Sequence, residues 1–570
     1  MSTPTRRPDA GPVVPGDRAR AAAVARAAAG LAGAAGVALD PGLALWGLAG
    51  GMPVPGPVPG PGSGNGTGAG AMAEALGAAL EAATDGARRR AQGLHVTPAW
   101  LADRLVAAAL APGVRATVCD PACGGGAFLV AAAERLQRSG AGRREVVRHL
   151  LWGADVDPVG LAAAEAALAL WAGEAPPPGR LVVGDPLTAG AVLWPGAPAG
   201  GFGAVVGNPP FQSQLGRLTA RSADDRRRLR DRYGDALRAY TDTAWLFLLL
   251  GCDLVRPGGR VALVQPQSLV AARDAAAVRA AVTACADLCD LWVDDVPVFA
   301  AAVRVCAPVL QRRDAGDPGP AAGTDPWSDR WARTLGLPDL PALAPARLGE
   351  RAAVVAGFRD EYYGLVGAVR ERHGGDAAGA VAPLVTSGSL GWGRCAWGDR
   401  PVRFAKRRWQ APVVDLGALA GGDRAAARWV ERTRRPKVVV ATQTRVVTAA
   451  VDEAGAWVPC VPALAVVPHD PADLWHLAAA IASPLASVWM ARRAGGTGLG
   501  RRALRVSGPA LADLPLPVDA EGWDEAAAAL RAFAAAPGDG ARDAFAAASG
   551  RAYAVEPALT AWWVERLPRR

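Results

Sequence analysis

Between about residues 72 and 313, short apolar runs alternate with stretches of helical character, several times over. The apolar runs fall at 116–119, 151–154, 181–183, 203–206, 260–264, 289–293 and 303–310, each bounded by Gly, Pro or Asp. Strands alternating with helices predict βα units and a mostly parallel sheet. Residues 52–71 are Pro-, Gly- and Ser-rich and read as a linker that buries no core, so 1–71 is expected to be a low-complexity leader. Residues 314–347 read as a second connection. From 348 to 570 a short strand at 437–442 and helices at 471–493 and 523–547 predict a separate domain of mixed α+β structure. Alanine and glycine are abundant enough to blur hydrophobic periodicity, so punctuation residues carry most of this reading.

Composition changes the picture little. A length of 570 residues suits two or three domains at roughly 100–200 residues each. The net charge of +9 permits a polyanionic partner without demanding one. Nearly all the cations are arginines, with lysine only at Lys406 and Lys437. Eight scattered cysteines form no metal-site spacing, so no metal is expected. Residues 27–39 loosely resemble a signal peptide but are Ala/Gly-rich and run into Asp40 and Pro41, and a cytoplasmic protein without membrane partners is expected.

Four clusters carry chemistry. In Val118–Leu129 an apolar run enters the glycine-rich turn Asp120-Pro121-Ala122-Cys123-Gly124-Gly125-Gly126, followed by Ala127 and Phe128. Such a turn lets backbone approach a ligand closely, although alone it is any tight βα turn. One unit later, Gly153-Ala154-Asp155-Val156-Asp157-Pro158 puts an acid at a strand end, where Asp155 can hold ribose hydroxyls and Asp157 can cap a helix. In Gly184-Asp185-Pro186, Asp185 closes the third strand and can accept from an adenine amino group. In Gly207-Asn208-Pro209-Pro210-Phe211 two prolines remove backbone donors and stiffen the loop. The Asn208 side-chain oxygen and the Pro209 carbonyl can then accept from one NH₂ group while the aromatic ring stacks. The alternative is a rigid turn.

Taken in order, these clusters resemble the DNA amino-methyltransferases that act on adenine, of the gamma arrangement found in restriction–modification systems. Upstream, Gly93-Leu94-His95-Val96-Thr97-Pro98 is similar to the family's Thr-Pro element over the methionine end of the cofactor, with His95 or Val96 where an aromatic is usual. Downstream, Tyr240-Thr241-Asp242, Leu254–Pro266 and Val298-Phe299 resemble later family segments, and Phe299 would supply a second aromatic to the target base. Residues 476–517, with Arg501-Arg502-Ala503-Leu504, loosely resemble the end of a target-recognition domain.

The resemblance implies a Rossmann-like α/β catalytic domain over 72–313, a linker at 314–347 and a C-terminal recognition domain over 348–570. It implies S-adenosylmethionine as cofactor, held by Thr97, Asp120, Pro121, Ala122, Cys123, Gly124, Gly126, Phe128, Asp155, Asp185 and Pro186. Catalysis would fall to Asn208, Pro209, Pro210 and Phe211, acting on adenine N6 in double-stranded DNA, with Phe211 and Phe299 stacking on the flipped base. Protein glutamine-amide and cytosine-N4 methylation are the alternatives; the roughly 220 residues beyond the core favour a long substrate, and Asn208 favours adenine. Arg226–Arg232, Arg403–Trp409, Arg432–Lys437 and Arg501–Arg505 are candidate DNA contacts, each equally readable as a solvated face. Neither lysine lies in an acid-x-Lys pattern, so no nuclease is expected in this chain, and a separately encoded restriction endonuclease is compatible with the reading.

Overall fold

The structure, a computed structural model, describes residues 15–37, 39, 43–50, 69–85, 96–211, 222–237, 241–294, 298–299, 304–319, 326–356, 359–377, 379–493 and 504–567. The chain divides into two compact units, 1–330 and 331–570.

In the first unit, α1 (Pro15–Ala35), α2 (Ala44–Ala49), α3 (Ala69–Ala83) and α4 (Ala99–Ala109) precede the sheet. There follow β1 (Val118–Asp120), α5 (Ala127–Arg138), β2 (Leu151–Asp155), α6 (Pro158–Ala172), β3 (Leu181–Val183) and β4 (Phe202–Gly207). Next come α7 (Ala223–Tyr233), α8 (Thr243–Leu254), β5 (Val255–Leu263), β6 (Gln265–Pro266), β7 (Ala286–Val293) and β8 (Val305–Arg312). Strands β3, β2, β1, β4 and β5 run parallel in that order; β8 lies antiparallel beside β5, and β7 antiparallel beside β8. All seven apolar runs are strands, and the parallel-sheet expectation holds. The order reverses between β2 and β4 on either side of β1, which opens a crevice at the strands' carboxyl ends.

The leader expectation is corrected. Helix α1 buries Ala21, Val24, Ala25 and Ala28 in the same core as Leu161 and Leu168 of α6, and α3 adds Leu76 and Leu80 to it. Helix α1 buries mostly alanine, which is why composition read as low complexity. Residues 51–68 lie outside the described residues. The linker expectation is also corrected, because 326–334 form a helix whose Trp327 is buried in the first unit.

The second unit is mixed α+β. One four-stranded sheet joins 369–371, 412–415, 381–385 and 458–459; a second, antiparallel one joins 449–452, 437–441, 463–468 and 352–356. Its main core gathers Leu477, Ile481, Val488, Leu530, Phe545 and Trp563. The helix expected at 471–493 is two helices, Leu474–Ala482 and Pro484–Arg493, since Pro484 has no N–H to continue the first. The helix expected at 523–547 breaks likewise at Pro537-Gly538. Among the described residues no single helix is long and apolar enough to cross a membrane.

Candidate active site

The crevice holds a cavity built from four strand ends and the helices packed over them, α3 and α8 among them. Its walls include Thr97, Asp120, Pro121, Ala122, Cys123, Gly124, Phe128, Asp155, Asp185, Pro186, Asn208 and Pro210, twelve of the residues singled out from sequence. Among those that do not line it, Gly126 is the N-cap of α5 in the left-handed region, and a Cβ there would lie 2.9 Å from the Ala164 Cα. Its place in the structure is therefore the close packing of α5 on α6. Pro209 sits in the loop between two wall residues. Phe211 and the buried Phe299 pack in one hydrophobic cluster, outside the cavity wall. Gly93, Leu94, His95 and Tyr240 lie outside the described residues.

Each carboxylate is held by local backbone. The Asp155 oxygens accept from the Gly124 N–H (2.8 Å) and the Asp157 N–H (2.8 Å), so β2's end is tied to the glycine-rich turn. One carboxylate site on each oxygen is left for a ligand hydroxyl. Burial pushes the Asp155 carboxyl up to about 6, against the pull of its two N–H donors. Asp120 accepts from the Ala122 N–H (3.0 Å), and burial raises its carboxyl to about 8, with the Asp155 charge adding to the rise. A Cβ on residue 207 would come within 2.5 Å of the Asp120 carboxylate, so a glycine must precede Asn208. Asp157 caps α6 through the Val159 N–H (3.2 Å), as expected. Asp185 caps the short helix Pro186–Ala189 through the Leu187 N–H (3.0 Å).

Asn208 is oriented from one side. Its Nδ2 donates to the buried Thr97 Oγ1 (3.1 Å), which leaves Oδ1 as the free end of the amide.

Sequence reading missed the wall residues that come from helices α3 and α8. Helix α3 contributes Glu74, Gly77 and Glu81, and its Gly77 backbone abuts Gly125 of the turn. Thr243 and Phe247 of α8 line it as well, and Val156, 59% exposed, stands at the rim beside Asp155. The only signal in sequence was the position of Val156 next to an acid at a strand end. Among the described residues the wall carries Glu74, Glu81, Asp120, Asp155, Asp157 and Asp185 and no Lys, Arg or His. Such a wall disfavours a pyrophosphate, the ligand of dinucleotide-binding Rossmann domains, and suits a cationic nucleoside.

Of the candidate DNA contacts, Lys437 is corrected: it is fully buried and paired with Asp452 inside the second unit, so it cannot reach DNA. Arg432, Arg434 and Arg435 beside it are exposed. On α7, Arg227 pairs with Asp224 and Arg232 with Asp253. Arg403, Lys406, Arg407 and Arg408 are all exposed, whereas 501–503 lie outside the described residues.

Sheet order and crevice define a Rossmann-like α/β fold with its cavity at the strands' carboxyl ends. Residues 80–286, within the first unit, match the N-6 DNA methylase family. Comparison with curated proteins by sequence gives no match. The type IIL restriction–modification enzyme MmeI, solved in complex with DNA, is similar in fold at a TM-score of 0.53 and 13% identity, over 87% of this chain and 81% of that one. The methyltransferase subunit of a type I restriction–modification system from Streptococcus thermophilus gives a TM-score of 0.32 at 17% identity, over 43% of this chain and 50% of that one.

Proposed function

We propose that this chain methylates adenine N6 at specific sites in duplex DNA within a restriction–modification system, the first unit doing the chemistry and the second choosing the sequence. The observation that carries the proposed chemistry is the Thr97–Asn208 hydrogen bond at the rim of an acidic cavity. The acidic wall and the Gly124–Asp155 clasp fit S-adenosylmethionine, which has ribose hydroxyls and two cationic groups. Asp155 would take the ribose, and Val156 and Pro186 would flank the adenine. When bound, the cofactor supplies a methyl group on a positively charged sulfur.

The chain's own residues then act on the target. A base inside a duplex cannot reach this rim, so the adenine must leave the stack at a cost of a few kcal/mol. Stacking on Phe211 and Phe299 would return about 1–3 kcal/mol per base. Asn208 Oδ1 and the Pro209 carbonyl would accept the two amino hydrogens. That draws the nitrogen toward tetrahedral geometry and frees its lone pair for attack. Catalysis on this reading is positioning and fixed electrostatics.

The test is a pair of variants in the full chain. Asn208→Ala should lower methyl transfer at least about 100-fold while cofactor affinity holds. Thr97→Val, which leaves the amide unanchored, should lower kcat about tenfold, the scale of one lost hydrogen bond, and Thr97→Ser should restore it. Wild-type turnover in a folded Asn208→Ala protein ends the proposal.

A further inference from the structure

The second unit contains a hairpin, Val402–Phe404 paired with Arg407–Trp409, that forms a two-stranded sheet of its own. Its inner face is fixed. Val402, Phe404 and Trp409 are buried in a cluster with Val414 and Trp429, and the Phe404 ring lies 5.0 Å from that of Tyr362. The Ala405 N–H donates to the Tyr362 hydroxyl (3.0 Å), and the Trp409 indole donates to the Phe404 carbonyl (3.0 Å).

Its exposed residues break three local preferences at once. Arg403 and Arg408 are direct cross-strand partners, an arrangement in which like charges repel. The two turn residues, Ala405 and Lys406, both have positive φ (49° and 64°), in a turn that Asn-Gly would form without strain. Arg407 stacks over the Trp409 ring at 4.7 Å instead of pairing with an acid. No carboxylate among the described residues forms an ion pair with Arg403, Lys406, Arg407 or Arg408. A rigid base carrying uncompensated cations on a strained tip is the pattern expected where an anionic partner supplies the missing charge.

We propose that this hairpin grips the phosphate backbone of the duplex, with Arg403, Lys406 and Arg408 each neutralising a phosphate. The inference rests on the reading that the chain acts on duplex DNA. A twisted two-stranded ribbon fits the major groove, so its flanking cations meet the phosphates on the groove walls. Phosphate contacts position a protein without reading bases, so the hairpin sets grip and register while other residues of the unit choose the sequence.

The experiment uses the full chain and mixed-sequence duplex, with affinity measured across a salt series. The triple variant Arg403→Gln, Lys406→Gln, Arg408→Gln should bind more weakly on every duplex. Its slope of log affinity against log salt should be shallower by about three, near 0.9 per phosphate contact. Cofactor affinity should not move, and Arg403→Lys with Arg408→Lys should keep the wild-type slope. A triple variant with wild-type affinity and slope overturns the hairpin's role while the methyltransferase reading stands. A wild-type chain that binds no duplex overturns both.

Discussion

Asp155 carries a burden the rest of the cavity relieves only in part. Its carboxyl, raised to about 6 by burial, must be ionised to accept ribose hydroxyls well, and the nearby Asp157 charge opposes that ionisation. A cationic ligand in the same cavity favours the ionised form, so binding should release protons. S-adenosylmethionine should therefore bind more tightly as pH rises through about 6, with the dependence flattened in Asp155→Asn. Calorimetry in buffers of different ionisation enthalpy would read the proton release directly, and a pH-independent affinity between about pH 5 and 8 would refute it. The sign for stability is opposite. A carboxyl whose folded value lies above its unfolded value stabilises the fold below the unfolded value, and that contribution is lost as pH rises. The ligand-free protein should thus lose stability between about pH 4 and 8, and ligand should offset more of that loss at the upper end.

At the scale of elements, the parallel strands were legible because Asp, Gly and Pro mark their carboxyl ends, where the ligand crevice forms. The clusters at 120, 155, 185 and 208 are those ends, and the structure brings them to one cavity. The N-terminal helices were not legible. In α6 nearly every residue is buried, so no apolar stripe appears, and α1 buries alanines that composition counts as neutral. Nor could sequence show that Arg20 of α1 is buried against Asp157 at the start of α6 and also bonds Thr84 Oγ1 (3.0 Å) and Asp17 (3.0 Å). This ties α1 to the loop that supplies Asp155. Replacing Arg20 with Met would leave Asp157 buried and uncompensated, and should cost about 3–5 kcal/mol of stability along with cofactor affinity. Arg20→Met combined with Asp157→Asn should recover much of the stability. Denaturant melts would decide, and an Arg20→Met protein as stable as wild type would show that the pair does not hold α1.

For the whole molecule the question is whether the two units divide the work. Each has a core of its own, and all the described wall residues of the cavity belong to the first. The Pro/Gly/Asp-rich stretch from 314 placed the boundary too early. Trp327 is buried in the first unit and its indole donates to Thr283 Oγ1 (3.0 Å), so a chain cut near 315 would lose a core tryptophan worth about 3–5 kcal/mol. A chain ending at Gly336 keeps it and completes the helix Pro326–Thr334. That truncated protein should fold and bind S-adenosylmethionine with near wild-type affinity, since every wall residue of the cavity remains. It should lose the preference for one DNA sequence over another, and most of the salt-dependent affinity if the 402–409 hairpin supplies the grip. Binding to a panel of duplexes, with modification mapped by sequencing DNA from cells expressing each form, separates the outcomes. Site-specific methylation by the truncated protein would place recognition in the first unit and leave the second without the role proposed for it.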